Sequence, residues 1–396
     1  MPNNHEHMAI ARVVEPYLRD LLAKRPCVVL TGCRQTGKTF LAQTLLGRSR
    51  LVSLDLPRLA EEAETRGEAF LEARGTPLAI DEVQYAPALL PYVKRAIDRD
   101  RDAMGQYLLT GSQPFELMRG VTESLAGRAA IVRLLPLSLA EIEATAGDVL
   151  GGERLMKTLV RGAFPELYVR DIDPSEFFAS YVATYLERDL RSVLAVRSLR
   201  DFDRFLRLLA LRAANLLDIG NLASEAGVAV NTAKAWLATL ENAGIVAIVT
   251  PWFENIGKRL VMTPKVYFVD TGLLCSLLGL DSSDALRRSQ RVGSVFENLV
   301  YLEIAKSLAH RGRHRPIHFY RSHDGTEIDF VVAEAERLHL VEVKLDEDAR
   351  TPKAFAVLTQ AIGEERVASR SLVVPARGVA DRHGVLVRGP IGAWPF

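Results

Sequence analysis

Residues 32–39, with the sequence GCRQTGKT, fit the pattern GxxxxGK[ST] at every fixed position. They lie between an apolar strand at residues 27–30 and a helix that we expect to begin at about Lys38. Glycines let such a loop bend back, so that backbone N–H groups and the start of the helix surround a polyphosphate. We expect Lys38 to reach the terminal phosphates and Thr39 to hold Mg²⁺ through its hydroxyl. The nucleotide-binding residues predicted here are Gly32, Cys33, Arg34, Gln35, Thr36, Gly37, Lys38 and Thr39.

Two later strands end in polar side chains. The apolar run at residues 78–80 is followed by Asp81 and Glu82, which should lie at the carboxyl edge of a parallel sheet, where ligands bind. We expect Asp81 to support Mg²⁺ and Glu82 to activate water. The strand at residues 107–109 leads to Ser112, which we expect to contact the γ-phosphate or its water, although a solvated turn is an equally good interpretation.

Composition limits the class of protein. The 396 residues suffice for about two to three domains. A net charge of +1 gives no overall attraction to nucleic acid or to an anionic membrane. No apolar run is long enough to span a bilayer, and no apolar leader is present near the N-terminus. The three cysteines form no CxxC pair, so we expect a cytoplasmic protein without disulfides.

The pattern of helices and strands predicts an α/β protein with several domains. Alternation of strands and helices in the first part indicates a doubly wound, largely parallel sheet. We expect a P-loop ATPase core at residues 1–136 and a helical lid or connector at 137–197, which includes one long helix from 175 to 194. A winged helix-turn-helix should follow at 198–285 and a second α/β domain at 286–396.

The third region has the pattern of a helix-turn-helix. Residues 219–226 are typical of a helix, a turn follows at Gly227, and a second helix should span 231–242, capped by Asn231. Residues 245–260 would then form a β wing. The second helix is placed like one that enters a DNA major groove.

The charges of this region leave two interpretations open. Lys234 is the one cation on the second helix, and Lys258 and Arg259 on the wing are the best candidates for phosphate contact. With so few cations, this region can be a structural module of an ATPase as well as a DNA-binding module. A basic run at residues 311–321 either follows a phosphate backbone or is a solvated face.

The last region carries a possible nuclease site. Strand alternation places Glu342 and Lys344 on one face, and Asp329 lies on the preceding strand, which should be an antiparallel neighbour. With Glu297 from the preceding helix, the set resembles the PD-(D/E)xK nuclease superfamily, although Ile328 replaces the proline of that motif. Its carboxylates would hold Mg²⁺ and Lys344 would orient water. The alternative is a salt bridge or binding surface on a retained fold.

Six segments together resemble the AAA-type P-loop ATPases of bacteria and archaea that carry a C-terminal domain of unknown function. These are TGCRQTGKT, AIDEVQ, LLTGSQ, LAGRAAIVRLLPLSLAEI, RGAFPEL and VYFVDTGLL. The resemblance implies an AAA+-like sheet whose strand at 107–109 lies between the other two strands. It makes Arg128 a candidate finger arginine, in cis or from a neighbouring chain, with an exposed structural arginine as the alternative. It also implies that Pro165 packs against adenine.

The sequence therefore predicts an ATPase with ATP and Mg²⁺ as cofactors, controlling a winged-helix and nuclease-like module that acts on DNA. The alternative is a nucleotide-dependent switch whose inactive nuclease-like domain binds a protein partner. A transcriptional regulator acting through the winged helix is a third interpretation. An arginine finger supplied in trans would require a homo-oligomer.

Overall fold

The first sheet is parallel throughout and follows the predicted strand arrangement. The computed structural model describes residues 10–112, 124–186, 199–252 and 262–396. Its first five strands are β1 (Cys27–Thr31), β2 (Leu51–Ser53), β3 (Leu78–Asp81), β4 (Tyr107–Gly111) and β5 (Ala129–Arg133). They pair in parallel in the order β2-β3-β4-β1-β5. The strand β4 therefore lies between β1 and β3, which confirms the predicted AAA+-like order.

Helices cover both faces of this sheet. They are α1 (Glu15–Lys24), α2 (Lys38–Leu46), α3 (Pro57–Thr65), α4 (Gly67–Glu72) and α5 (Leu89–Arg99). Along β1, Val28 joins an apolar cluster that includes Leu18 and Leu41, whereas Val29 joins the opposite cluster with Val93. Strands buried on both faces need apolar residues at successive positions, and β1 has them.

The connector is a series of short helices. They are α6 (Leu139–Ala146), α7 (Gly152–Arg161), α8 (Glu166–Val169) and α9 (Pro174–Tyr181). The predicted single helix over 175–194 is wrong in part. Asp173 caps α9, and a π-helical turn at Val182–Leu186 replaces its α-helical geometry. The rest of the predicted helix lies outside the described residues.

A helix-turn-helix and a two-stranded sheet follow the connector. Their elements are α10 (Leu199–Ala210), α11 (Ile219–Ala226), α12 (Val230–Asn242), β6 (Val246–Val249) and β7 (Lys265–Phe268). The strands β6 and β7 are antiparallel. The predicted cap at Asn231 is wrong, because α12 starts one residue earlier and Ala229 before it offers no capping side chain. Residues 253–261, between β6 and β7, are not described.

The C-terminal region is built on a six-stranded mixed sheet. Its helices are α13 (Thr271–Leu277), α14 (Ser283–Arg288), α15 (Val292–His310) and α16 (Lys353–Ile362). Its strands are β8 (Ile317–Arg321), β9 (Glu327–Glu334), β10 (Arg337–Val343), β11 (Val367–Val373), β12 (Val379–Arg382) and β13 (Val385–Arg388). They pair in the order β12-β13-β11-β10-β9-β8. The predicted succession of helix, three strands, helix and strand is present, with β9 and β10 antiparallel.

One apolar core joins the connector, the helix-turn-helix and the C-terminal sheet. It includes Cys33 of the phosphate loop, Phe164 of the connector, Trp236 of α12 and Phe296 of α15. Burial of apolar side chains is the main favourable contribution to folding, so these regions stabilise one another. Within the described parts of the chain, no helix is long and apolar enough to cross a membrane.

Candidate nucleotide site and carboxylate cluster

The phosphate loop has a backbone that only glycine allows at two points. Gly32 has φ of +147° and Gly37 has φ of +90°. A Cβ atom on Gly32 would lie 2.3 Å from the carbonyl oxygen of Leu134, which is far inside van der Waals contact. The loop therefore needs glycine at position 32 both for its dihedral angles and for its close approach to the chain after β5.

Lys38 is held inside the loop. It is 5% exposed, and its Nζ donates hydrogen bonds to the carbonyl oxygens of Gly32 at 3.0 Å and Cys33 at 2.9 Å. Burial lowers the pKa of Lys38 from its usual value. Because backbone carbonyls already bind its ammonium group, the side chain is positioned over the loop before any phosphate arrives.

Asp81 and Thr39 meet at the carboxyl edge of the sheet. The hydroxyl of Thr39 lies 3.0 Å from both carboxylate oxygens of Asp81. Ser53 of β2 donates to Asp81 at 3.3 Å, and Thr110 of β4 also donates to it. Hard oxygen ligands beside a phosphate site are what Mg²⁺ prefers. The residues present therefore fit this ion, with Thr39 and Asp81 as the groups that would hold it.

Glu82 is positioned by the neighbouring strand β4. It has φ of +56°, an uncommon backbone conformation for a non-glycine residue. Its Oε2 accepts hydrogen bonds from the hydroxyl of Ser112 at 2.8 Å and from Gln84. Ser112 is fully buried and its hydroxyl donates to this carboxylate, whereas its contact with the γ-phosphate or its water stays a prediction. The geometry makes Ser112 a positioning residue for Glu82.

Pro165 lies beside the loop, and its packing against adenine stays a prediction. Its Cγ is 3.9 Å from the place that a Cβ on Gly37 would take. The segment that carries Pro165 is fixed by Asp270, which is fully buried and accepts a hydrogen bond from the Ala163 N–H at 2.6 Å. Asp270 also caps α13 by accepting from the Leu273 N–H at 2.9 Å. The RGAFPEL and VYFVDTGLL segments are therefore direct neighbours.

Arg12 is a residue of this site that the sequence did not indicate. Its guanidinium donates to the carbonyl oxygens of Thr36 at 2.8 Å and Leu135 at 2.7 Å. It also forms a buried ion pair with Glu141 at 3.0 Å. One side chain thus ties the phosphate loop to the segment after β5. No local pattern could have shown this, since Glu141 is 129 residues away.

Arg128 does not reach the phosphate loop of its own chain, and the prediction of a finger in cis is wrong. Its guanidinium forms two hydrogen bonds with Asp98, at 2.8 and 2.9 Å. It precedes β5, whose first residue pairs with Cys27 at the start of β1. The loop follows the far end of β1, roughly 16 Å away at about 3.3 Å per residue. A finger role in trans stays a prediction.

The predicted C-terminal constellation is brought together only in part. Glu342 lies 3.3 Å from the Asp329 N–H and accepts a hydrogen bond from Lys344 Nζ at 2.8 Å. Asp329 accepts from the Val343 N–H at 2.8 Å. Burial, and then the charge of Asp329, raise the pKa of Glu342 to about 7. These residues form one hydrogen-bonded network between β9 and β10.

Lys265 of β7 enters this cluster, which the sequence did not predict, and the metal site stays a prediction. Its Nζ is 3.0 Å from Glu297 and 2.6 Å from Glu327, and it is 3.9 Å from Asp329. Its side chain is 3% exposed, and the Tyr267 hydroxyl donates to Glu297 at 2.7 Å. Burial raises the pKa of Glu297 to about 8.

Glu297 and Asp329 therefore face the internal cation Lys265, whereas Glu342 pairs with Lys344. Among the described residues, no group of three or more Asp, Glu, His or Cys side chains is arranged to hold a metal ion. Glu297, Asp329 and Glu342 were predicted as ligands because the sequence places acids together. The sequence does not show that Lys265, from a different region, supplies positive charge to Glu297 and Asp329.

The predicted nucleic-acid contacts have different outcomes. Lys234 is exposed on α12, whereas Lys258 and Arg259 lie outside the described residues. The basic run at 311–321 is engaged internally. Arg315 pairs with Glu334, and Arg311 donates to carbonyl oxygens near the end of the chain. Several cations of this run are therefore already paired within the chain.

Comparison with known proteins places the chain in a family. Family models match an AAA domain at residues 24–143 and two domains of unknown function, at 152–284 and 292–390. The uncharacterized protein Rv2008c of Mycobacterium tuberculosis is 32% identical over 368 residues, which cover 90% of this chain and 78% of that protein. The uncharacterized protein Mb2031c of Mycobacterium bovis matches equally. The chain belongs to this family of AAA-type ATPases.

A solved structure is also similar to this AAA-type ATPase. The Walker-type ATPase Paby2304 of Pyrococcus abyssi is 18% identical, with a TM-score of 0.44. The match covers 70% of this chain and 98% of that one. The AAA domain at residues 24–143 contains the phosphate loop, Asp81 and Glu82. The lysine in the carboxylate cluster, Lys265, lies in the second matched region, whereas Glu297 lies in the third.

Proposed function

We propose that this AAA-type protein binds and hydrolyses ATP with Mg²⁺ and that its nucleotide state controls the regions that follow the AAA domain. The observation that carries the proposal is the meeting of Lys38, the Thr39–Asp81 pair and Glu82 at one edge of the parallel sheet. Phosphoryl transfer needs mainly positioning and charge stabilisation, and this set offers both.

Each residue has a distinct role in this proposal. Lys38 binds the terminal phosphates, and Thr39 with Asp81 holds Mg²⁺, which neutralises charge on the phosphate oxygens when bound. Glu82 accepts the proton of the attacking water, and Ser112 keeps its carboxylate in place. Arg128 would act only on the nucleotide of a neighbouring chain, in a homo-oligomer.

A series of contacts from the phosphate loop to the C-terminal regions supports the proposal that the nucleotide state controls them. Pro165 lies beside Gly37 of the phosphate loop, and the adjoining Ala163 N–H binds Asp270. Asp270 in turn caps α13 and follows β7 closely in the chain. A change at the loop that moves Pro165 would therefore act on the start of α13.

The test is phosphate release from ATP by the purified full chain. We expect steady turnover with Mg²⁺ that stops when a chelator removes the ion, because Mg²⁺ neutralises charge at the transferred phosphate. Binding of a fluorescent ATP analogue, followed in parallel, shows whether the loop takes up nucleotide. No phosphate release at saturating ATP and Mg²⁺ would contradict the proposal.

A second candidate function concerns the C-terminal domain. We propose that it is a protein-binding part of a nucleotide-dependent switch and has no nuclease activity. The observation that counts against a nuclease is Lys265, which contacts Glu297 and Glu327 from inside the core. A buried lysine already supplies positive charge to these carboxylates, as a metal ion would. Action on DNA stays a prediction from the sequence.

The cleavage test separates the two interpretations of this domain. Single- and double-stranded DNA and RNA are incubated with the chain, Mg²⁺ or Mn²⁺, and with or without ATP. We expect no cleavage from the wild type and none from Lys344→Ala, since the carboxylates are already compensated. Metal-dependent cleavage that the Lys344→Ala variant loses would show an active nuclease.

A further inference from the structure

A cavity of about 390 Å³ lies where the first sheet, the strand β6, the helix α15 and the start of β8 meet. Its wall includes Arg133 at the end of β5, Tyr17 of α1, and Val249, which pairs with Lys265 of the carboxylate cluster across β6 and β7. A volume of this size is in the range of small-molecule sites.

The charged residues that line this cavity are all basic. Arg133, Arg313 and Arg315 line it together with His314 and His318, and no Asp or Glu is among the described residues of its wall. Glu334 pairs with Arg313 and Arg315 from outside the lining. The wall therefore offers positive charge to a ligand.

Two of these arginines have unused hydrogen-bonding capacity. The Nη1 atom of Arg315 is buried and finds no acceptor in the described parts of the protein, although Nη2 pairs with Glu334. Arg133 is exposed and packs against Gly244, whose Cβ would lie 2.7 Å from its Nη2. Its guanidinium forms no ion pair with a described residue, and Glu241 interacts with it only through space. A buried donor without an acceptor is costly, so an anionic ligand would relieve it.

Most of the rest of the wall is apolar or aromatic. It includes Val246 and Ile248 of β6, Ala305 and Leu308 of α15, and Tyr301. The ring of Tyr301 stacks on the buried ring of Tyr267, with 4.6 Å between centroids, and is thereby held in place. Rigid apolar and aromatic walls suit a ligand with an apolar or aromatic body.

We propose that this cavity binds a small organic anion with an apolar or aromatic body, whose anionic group lies between Arg133 and Arg315. The site is separate from the phosphate loop. The cavity is nevertheless connected to the phosphate loop through Arg12. Leu135 lines the cavity, and Arg12 donates hydrogen bonds to the carbonyl oxygens of both Leu135 and Thr36 of the loop. The binding itself does not depend on ATP hydrolysis.

The experiment uses two fluorescent probes that share an aromatic body. Anilinonaphthalene sulfonate is anionic, and N-phenylnaphthylamine is its neutral analogue. Titration of the full chain should show one site that binds the anionic probe at least about tenfold more tightly than the neutral one, since a charge-assisted hydrogen bond contributes that much. Equal affinity for the two probes would overturn the proposal.

Four variants locate the site. Arg133→Met should lower the affinity for the anionic probe about tenfold. Arg204→Met, at an exposed arginine of α10, should leave this affinity unchanged. Ala305→Phe fills the cavity and should lower the affinity for both probes. Lys38→Ala should bind them as the wild type does. Circular dichroism checks the folding of each variant. Loss of binding in Lys38→Ala would place the probe in the phosphate loop, and equal behaviour of the two arginine variants would place it elsewhere; either result overturns the site.

Discussion

Glu82→Gln is expected to slow ATP hydrolysis by about a thousandfold while ATP still binds. Glutamine keeps the shape of the side chain and can still accept a hydrogen bond from Ser112, but it cannot take a proton from the attacking water. Lys38 and the Thr39–Asp81 pair are unchanged in this variant. Phosphate release and the affinity for a fluorescent ATP analogue, measured on the same preparation, give the two quantities.

Two comparison variants make this result specific. Lys38→Ala should lose binding as well as hydrolysis, because the cation that meets the terminal phosphates is removed. Glu72→Gln, at a glutamate whose side chain is 64% exposed on the same domain, should hydrolyse ATP as the wild type does. Normal turnover in both Glu82→Gln and Lys38→Ala would remove the basis for an ATPase at this site.

Lys265→Met is expected to lower the free energy of unfolding by about 3–5 kcal/mol. Methionine fills a similar volume but leaves Glu297 without its buried cation. Asp329 loses a nearby cation, whereas Glu327 keeps its ion pair with Arg321. Buried carboxylates without a compensating charge are strongly unfavourable. Chemical denaturation followed by circular dichroism measures the loss.

The matched control is Lys157→Met, at a lysine whose side chain is 68% exposed. Its stability should stay within about 0.5 kcal/mol of the wild type. The double variant Lys265→Met with Glu297→Gln should recover part of the loss, because one uncompensated carboxylate is removed. A stability loss below about 1 kcal/mol in Lys265→Met would show that the carboxylates do not depend on this lysine.

The nucleotide site was largely predictable from the chain. The residues of the loop are contiguous, and Asp81 and Glu82 follow an apolar strand directly, so each signal is local. The order of strands followed from the family resemblance. The role of Ser112 was not predictable, because its hydrogen bond to Glu82 depends on how far β4 extends beyond β3.

Two predictions depended on contacts between distant parts of the chain. Arg128 lies in a segment that resembles a finger, but the position of β5 beside β1 puts it at the opposite edge from the loop. The acids of the C-terminal sheet do approach one another as alternation predicted. The cation near Asp329 and Glu297 is a lysine 32 residues before Glu297, whereas Glu342 pairs with Lys344.

The sequence by itself determined that this protein has a nucleotide-binding loop on a parallel sheet, because glycine geometry, strand ends and helix starts are local properties. Only the tertiary structure decided which charged side chains form ion pairs with one another. It paired Arg12 with Glu141, turned Arg128 toward Asp98 and placed Lys265 among the carboxylates. The reason is physical: a buried charge must be compensated within a few ångströms, and the partner can come from any part of the chain that folding brings there.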